Sequence, residues 1–216
     1  LLFSDDLVLR FKPGFLFWIE LNYLTWNLVF MPLTVALVSE LSWDLEEESH
    51  AWNHLLVQPV PHHTHYLAKL LSHLFLVFSS QLILALLLIP QGLLLRSHLG
   101  SIMGGPATPD WFTGLVPLKV LIQFAGFSLL ASIPLVAFHT WLSTRFTGLG
   151  IALTTAVVGT WFCVHFASTP LLVKWVPWGM TSQIVVFFDR LKRHIPWEFF
   201  PISLLCAAML MGLGTL

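Results

Sequence analysis

The sequence predicts an all-α polytopic membrane protein, and composition, charge and the length of the apolar runs all indicate this fold class. Of the 216 residues, 56% are hydrophobic and only 10% are charged, and the mean hydropathy is +0.81. A soluble domain carries about 25% charged residues, so this chain has too little polar surface to cover a globule. Its apolar runs are long and continuous, which favours helices over the short alternating strands of a membrane barrel.

Five apolar runs reach or approach the roughly 20 residues that a helix needs to span a bilayer. They cover residues 15–41, 67–95, 112–141, 148–166 and 199–216. Between the last two runs, apolar residues recur at helical spacing opposite the charges of the FDRLKR stretch, which predicts an interfacial amphipathic helix at 182–195. The tryptophans around it are predicted to anchor it at the membrane surface: Trp175, Trp178 and Trp197.

A polar segment separates the first two apolar runs, with the sequence LEEESHAWNHLLVQPVPHHTHYLAKLL. Its first half predicts a short amphipathic helix at 44–57, which Ser42 or Asp44 could cap. Acidic residues at its start would complement the positive end of the helix dipole. Pro59 and Pro61 would end this helix before the chain returns to the bilayer.

The histidines of this segment raise the question of a metal site. His50 and His54 stand four residues apart, and the HHTH cluster at 62–65 follows. Membrane di-iron oxygenases use histidine boxes of this general type, but they need several boxes, and His139 and His165 are isolated downstream. Neutral interfacial histidines on a polar loop are the favoured interpretation, and no metal site is predicted.

Several function classes lack the residues that they need. A net charge of −1 gives no footprint for nucleic acid, and the apolar surroundings of Cys163 and Cys206 argue against a disulfide framework. Neither a G-x-S-x-G motif nor a phosphate-binding G-x-x-x-x-G-K-[ST] motif occurs. We therefore expect no catalytic residue on this chain, and any ATP-driven work requires a separate ATPase.

Polar side chains inside apolar runs are costly in a bilayer and are candidate functional groups. Gln81, Gln123 and His139 fall inside predicted spans, which makes them candidate substrate-path residues. The two glutamines could also hydrogen-bond between helices for a modest gain in stability. Lys119 stands a turn or two inside its run, where a lysine can extend its ammonium group to the interface.

Two sequence blocks resemble a known family of membrane proteins. One is EEESHAWNHLLVQPVP followed by HYLAKLL, and the other is IPLVAFHTWLSTRFTGLGIALTTAVVGT at 133–160. Both are similar to blocks in the permease subunits of type-2 ABC exporters, and more narrowly in lantibiotic-immunity and bacitracin-resistance permeases. VPWGM at 176–180 adds a weaker similarity, and the resemblance covers most of 18–180.

The resemblance implies a six-helix transmembrane domain with both termini in the cytoplasm, in the bacterial cytoplasmic membrane. Since five spans are visible, the first span of such a domain is expected to be missing from this sequence, whose single domain covers 1–216. The implied partners are a dimer of ABC ATPase subunits, which hold ATP and magnesium, and a second copy of the chain or a sister permease. No cofactor is expected on the chain itself.

In this family a cytoplasmic coupling helix transmits motion from the ATPase to the spans, and the resemblance assigns that role to the 44–57 helix. The acidic residues would pair with basic residues of the partner, and the apolar residues would anchor the contact. A turn at the end of the third run would line a second, smaller contact. The residues expected at the ATPase interface are Glu46, Glu47, Glu48, Trp52, Leu55, Leu56, Pro59, Trp141 and Arg145.

The orientation that the family implies conflicts with the charge pattern. Lys69 and Arg145 would lie inside, whereas the three basic residues of the 182–195 helix would lie outside, against the positive-inside tendency. A crossing of the membrane by 171–188 would remove this conflict. The two sequence blocks favour the family's orientation.

The cargo implied by the resemblance is a membrane-active peptide antibiotic, expelled for self-immunity or resistance. A lipid or polysaccharide cargo is the first alternative. A histidine-box membrane metalloenzyme and a membrane scaffold that transports nothing are two others. Neither of the last two explains two ordered sequence blocks.

Overall fold

The computed structural model of the chain describes residues 15–50, 61–102, 118–146, 148–166 and 176–181, together with 201, 205, 208, 209 and 212. Every regular element within these residues is helical. Helix α1 covers Phe15–Thr25, a π-helical segment covers Trp26–Phe30, and α2 covers Met31–Glu48. Helix α3 covers His62–Ile102, α4 covers Leu118–Arg145 and α5 covers Leu149–His165.

Three helical stretches among the described residues are long and apolar enough to cross a membrane. They are Trp18–Glu48, His63–Leu95 and Leu118–Arg145, and Leu149–His165 is a shorter apolar helix. The prediction of an all-α membrane fold is therefore confirmed. The predicted helix at 182–195 lies outside the described residues, and only five residues of the 199–216 run are described.

Helix α4 is the centre of the bundle because it packs against α1, α2, α3 and α5. Helix α2 also packs closely against α5. Much of α3 is exposed and apolar, with Phe75 at 68% and Leu86 at 60% exposure, as suits a face in contact with lipid. The buried contacts form two main clusters, one with Ile19, Tyr23, Leu88, Phe124 and Phe127, the other with Met31, Val35, Leu135, Val136 and Cys163.

The π-helical segment is placed just before a proline in the helix. Pro32 lacks a backbone N–H, and its ring would clash with the carbonyl four residues earlier in a regular α-helix. The wider turn is closed by a bond from the Met31 N–H to the Trp26 carbonyl. The Asn27 amide supports it by donating to the Tyr23 carbonyl oxygen at 2.8 Å.

The helix boundary near residue 44 differs from the prediction. Helix α2 runs unbroken through Ser42 and Asp44 to Glu48, so neither residue caps a new helix. His50 then adopts a φ of +52°, which turns the chain out of the helix. The prediction read the end of the apolar run as the end of the helix, but backbone hydrogen bonding continues for nearly two turns beyond it. The acidic residues therefore lie at the C-terminal end of a helix.

Trp178 is buried in the bundle, so the prediction of a membrane-surface anchor at this position is wrong. Its side chain is 5% exposed, and its ring lies edge-on to Phe138 with 5.0 Å between the ring centroids. The indole also covers Gly159 of α5, where a Cβ atom would lie 2.5 Å from the ring carbons. Glycine at 159 thus admits the tryptophan between α4 and α5.

Candidate functional site

The C-terminal end of α2, the N-terminal part of α3 and the turn between α4 and α5 meet at one end of the bundle. We call this end, formed by residues 40–48, 66–73, 137–146 and 148, the junction. Hydrogen bonds and an ion pair join these elements across long sequence separations. Three charged side chains take part in these contacts: Glu40, Glu46 and Lys69.

Lys69 of α3 ties that helix to the end of α2. Its Nζ lies 2.8 Å from Glu46 Oε2 and 4.1 Å from the centre of the Trp43 ring. The side chains of Lys69 and Glu46 are 10% and 30% exposed, so water screens this pair less than a surface ion pair. A cation over an indole face adds attraction through the ring quadrupole. The lysine also offsets negative charge at a helix C-terminus, where acidic residues are unfavourable.

Glu40 of α2 ties that helix to the N-terminus of α5. Its side chain is 1% exposed, and Oε1 accepts a hydrogen bond from the Gly148 backbone N–H. Gly148 has a φ of +132°, a backbone conformation that residues other than glycine rarely adopt. As the N-cap residue of α5, it has no side chain that could cap the helix. A carboxylate of a distant helix therefore occupies the capping position of α5.

Two further hydrogen bonds tie α3 to α4 at the junction. His73 Nδ1 and Thr140 Oγ1 are 2.9 Å apart, and both side chains are buried. The Tyr66 hydroxyl donates to the Ala137 carbonyl oxygen at 3.2 Å. These contacts fix the register of the two helices at the end where Lys69 meets α2.

A second polar cluster includes Gln81, which lies about 18 Å along α3 from Lys69 at a rise of roughly 1.5 Å per residue. The Gln81 amide donates to Ser128 Oγ, and the Ser128 hydroxyl donates to Asn27 Oδ1, both at 2.8 Å. Gln81 Nε2 also lies 3.5 Å from Met31 Sδ. We call Asn27, Gln81 and Ser128 the central polar network. It joins the π-helical segment, α3 and α4 through neutral groups.

The three residues predicted for a substrate path lie in different surroundings. Gln81 is buried in the central polar network, and Gln123 is half-buried on α4. His139 is 1% exposed and lies edge-on to Phe138 and Trp178, with 5.6 Å between ring centroids in each case. Its ring nitrogens have no hydrogen-bond partner within the described part of the chain. The described residues do not bring these three side chains into one site.

The residues predicted for the ATPase interface divide into three groups. Glu46 is half-buried in its pair with Lys69, while Glu47 and Glu48 are exposed. Trp141 is half-buried against Phe138, and Arg145 is exposed as the last residue of α4. The remaining predicted residues lie outside the described ones: Trp52, Leu55, Leu56 and Pro59.

The histidines that suggested a metal site are only partly described. His50, His63 and His65 are at least partly exposed, whereas His54 lies outside the described residues. Across the described ranges, no three histidine, cysteine, aspartate or glutamate side chains come together as metal ligands. The described geometry therefore gives no support to a histidine-box metalloenzyme.

The sequence prediction did not assign a role to Glu40, Lys69 or Gly148. Glu40 stands 108 residues from its partner and Lys69 stands 23 residues from Glu46, so no local spacing relates these groups. One signal was available for Glu40, namely an ionisable residue near the end of an otherwise apolar run. Intramembrane ionisable residues usually have a specific partner.

Comparison with models of protein families identifies a family that this chain matches. The model of a family described as ABC-2 family transporter protein matches residues 11–159, which include the π-helical segment and the junction. No curated protein and no solved structure matches the chain.

Proposed function

Because the chain belongs to the ABC-2 transporter family, whose members are membrane permease subunits of ABC exporters, we propose that it expels membrane-active peptide antibiotics from a bacterial cytoplasmic membrane. Family membership makes the chain a transport component, and it supports the proposal that ATP is hydrolysed by a partner ATPase. The peptide cargo rests on the resemblance of the 45–71 and 133–160 blocks to immunity and resistance permeases.

The observation that carries the proposal is the junction. An exporter must transmit motion from a soluble ATPase to helices in the bilayer, and this requires stiff elements whose ends are joined outside the lipid. At the junction Lys69 joins α3 to α2 and Glu40 joins α2 to α5. A displacement of this end would therefore reach three helices together.

Helix α2 supplies the lever in this mechanism. Its 18 residues run without interruption from the π-helical segment to Glu48, and its exposed end carries two acidic side chains, Glu47 and Glu48. Acidic side chains on the permease would orient a basic groove of the ATPase more than they would add affinity. Nucleotide can shift the permease only if the ATPase binds one arrangement of this end more tightly than another.

Co-purification with the ATPase tests the assignment most directly. We expect the permease to retain its ATPase partner in detergent and to stimulate ATP hydrolysis. Glu47→Lys and Trp52→Ala should reduce this stimulation and export without reducing membrane insertion. Lys119→Glu is the matched control, because it reverses an exposed charge at the opposite end of α4. Wild-type hydrolysis and export by the double variant Glu47→Lys, Trp52→Ala would contradict the coupling role.

A susceptibility assay tests the cargo. Cells that express the complete exporter should survive higher concentrations of at least one cationic antimicrobial peptide than cells that carry an ATPase-dead version. If no peptide in a broad panel distinguishes the two strains, a lipid or polysaccharide cargo is favoured instead.

Cysteine labelling tests the orientation. Leu45 in the junction is 66% exposed and Leu118 at the opposite end of α4 is 55% exposed, so both positions accept a reporter. In a background without Cys163 and Cys206, an impermeant maleimide should label Leu118→Cys in intact cells and Leu45→Cys only after permeabilisation. The reverse pattern would place the junction outside and overturn the proposed contact with a cytoplasmic ATPase.

A further inference from the structure

The contact between Glu40 and the start of α5 lies at the end of a close helix–helix interface. Ala36, Ala152 and Ala156 are all nearly or completely buried and pack together between α2 and α5. Small residues allow two helix backbones to approach closely. Glu40 follows Ala36 by one helical turn, and Gly148 precedes Ala152 by one turn. The hydrogen bond thus continues the same interface to its end.

A buried carboxylate in this position needs specific partners. Glu40 has the Gly148 N–H, at the positive end of the α5 dipole, and it also interacts electrostatically with Lys69 of α3. A hydrogen bond accepted by a carboxylate is roughly twice as strong as one between neutral groups. Since Gly148 follows the α4–α5 turn directly, Glu40 fixes the position of that turn relative to α2.

We propose that Glu40 is a positioning residue for coupling: its carboxylate holds the α4–α5 turn against α2, so that the acidic end of α2 and the turn move as one body. This inference rests on the proposed function, because it concerns the two surfaces assigned to the ATPase contact. It adds the residue that joins them. Without this bond, the alanine interface would still join α2 to α5, but the turn would no longer be held against the end of α2.

A distance measurement tests the joint without relying on activity. Leu45 and Phe146 are 66% and 50% exposed, so spin labels at these positions report the separation of the α2 end and the turn. The labels are placed in a purified chain that lacks Cys163 and Cys206 but keeps Glu40, and the protein is studied in lipid nanodiscs with its ATPase. We expect one narrow distance distribution, and a second, broader population in Glu40→Ala.

The size of the effect follows from the loss of a charge-assisted bond. The ratio of docked to undocked turn should fall by about tenfold or more in Glu40→Ala, and by less in Glu40→Gln, which keeps an acceptor oxygen. Transport per ATP hydrolysed should fall in the same order. Ser39→Ala is the matched control, because it alters a buried side chain in the same turn of α2. It should leave both measurements unchanged.

The outcomes separate this inference from the proposed function. If Glu40→Ala keeps the narrow distribution and the wild-type coupling ratio, Glu40 does not position the turn. If Ser39→Ala changes both measurements as much as Glu40→Ala, the effect is one of general packing and the inference also fails. If the wild-type chain binds no ATPase, the proposed function fails, while the distance distributions still decide whether Glu40 holds the turn. Should Glu40→Ala not be recovered from membranes, Glu40→Gln decides in its place.

Discussion

The central polar network and the junction both join helices through buried polar groups, but they use different chemistry. Asn27, Gln81 and Ser128 are neutral, and their hydrogen bonds are 2.8 Å long. The junction instead uses Glu40 and the pair of Lys69 with Glu46. The network thus holds helices by amide and hydroxyl groups, whereas the junction adds charged groups to the neutral hydrogen bonds of Tyr66 and His73.

The Lys69–Glu46 pair and the central polar network also differ in access to water. Neutral polar groups can lose a partner inside a bilayer at moderate cost, whereas an unpaired charge there costs far more. Glu46 is 30% exposed, so water can replace its protein partner when the junction rearranges. Gln81 is 2% exposed and has no such exchange available. We therefore expect a fixed centre and an adjustable contact between α2 and α3 at the junction, whereas Glu40, which is 1% exposed, keeps α2 joined to the turn.

Removal of the Lys69 charge should give the largest loss of stability. If it does not, the distinction between the junction and the central polar network fails. Lys69→Met removes the cation that interacts with both Glu46 and Glu40, and we expect a loss of about 2 to 3 kcal/mol in the free energy of unfolding. Denaturant titration in mixed micelles measures this loss. Lys119→Met is the control, because it removes an exposed lysine from another helix and should change stability by no more than about 0.5 kcal/mol.

A double variant separates the ion pair from the packing of the lysine stem. If the pair is the source of the effect, Lys69→Met combined with Glu46→Gln should be more stable than Lys69→Met alone, because the second change removes an uncompensated charge. A double-mutant cycle gives the coupling energy. Equal losses for Lys69→Met and Lys119→Met would mean that charge contributes nothing at the junction.

The helical fold could be predicted from the sequence because a bilayer permits few alternatives. An apolar run that crosses lipid must satisfy its backbone internally, so a continuous run of sufficient length is a helix. Helix α5 illustrates this: its bounds, Leu149–His165, differ by one residue at each end from the apolar run at 148–166. Composition determines this level of structure.

The contacts between helices could not be predicted in the same way. Glu40 and Gly148 are 108 residues apart, and nothing in the local sequence of either indicates the other. Hydropathy indicates which residues lie in lipid, but not where backbone hydrogen bonding ends. The sequence therefore did not predict the extension of α2 to Glu48. Trp178 was assigned to the membrane surface because tryptophan is common there, yet Gly159 gives it a buried place. Such specific fits depend on tertiary structure.

A methyl group at Gly148 tests whether the junction depends on backbone geometry as well as charge. The φ of +132° is unfavourable for alanine, and we expect Gly148→Ala to destabilise the protein by about 1 to 2 kcal/mol. Gly126→Ala is the control, because Gly126 lies in α4 with open space where its Cβ would be placed. Alanine there should be neutral or slightly stabilising, and an equal loss at both positions would contradict the backbone argument.

The central polar network should respond more weakly. Gln81→Leu removes a donor to Ser128 but leaves no charge unpaired, and hydrogen bonds between membrane helices average about 0.6 kcal/mol, so we expect a loss of about 1 kcal/mol at most. Gln123→Leu is the matched control on a half-buried glutamine. Its stability should be unchanged, whereas a loss of export without a loss of stability would indicate a place on the substrate path. A loss for Gln81→Leu as large as that for Lys69→Met would remove the distinction between the two regions.

The smallest expected effect has the opposite sign and separates the acidic residues from one another. Glu48 is exposed in the last turn of α2, where a negative charge opposes the helix dipole, so Glu48→Gln should raise the free energy of unfolding by about 0.3 kcal/mol. Glu46→Gln in the same turn should lower it, since Glu46 is paired with Lys69. The same titration measures both variants. Changes of opposite sign in the free energy of unfolding would show that Lys69 stabilises Glu46 but not Glu48. Changes of the same sign would mean that the helix dipole outweighs the ion pair.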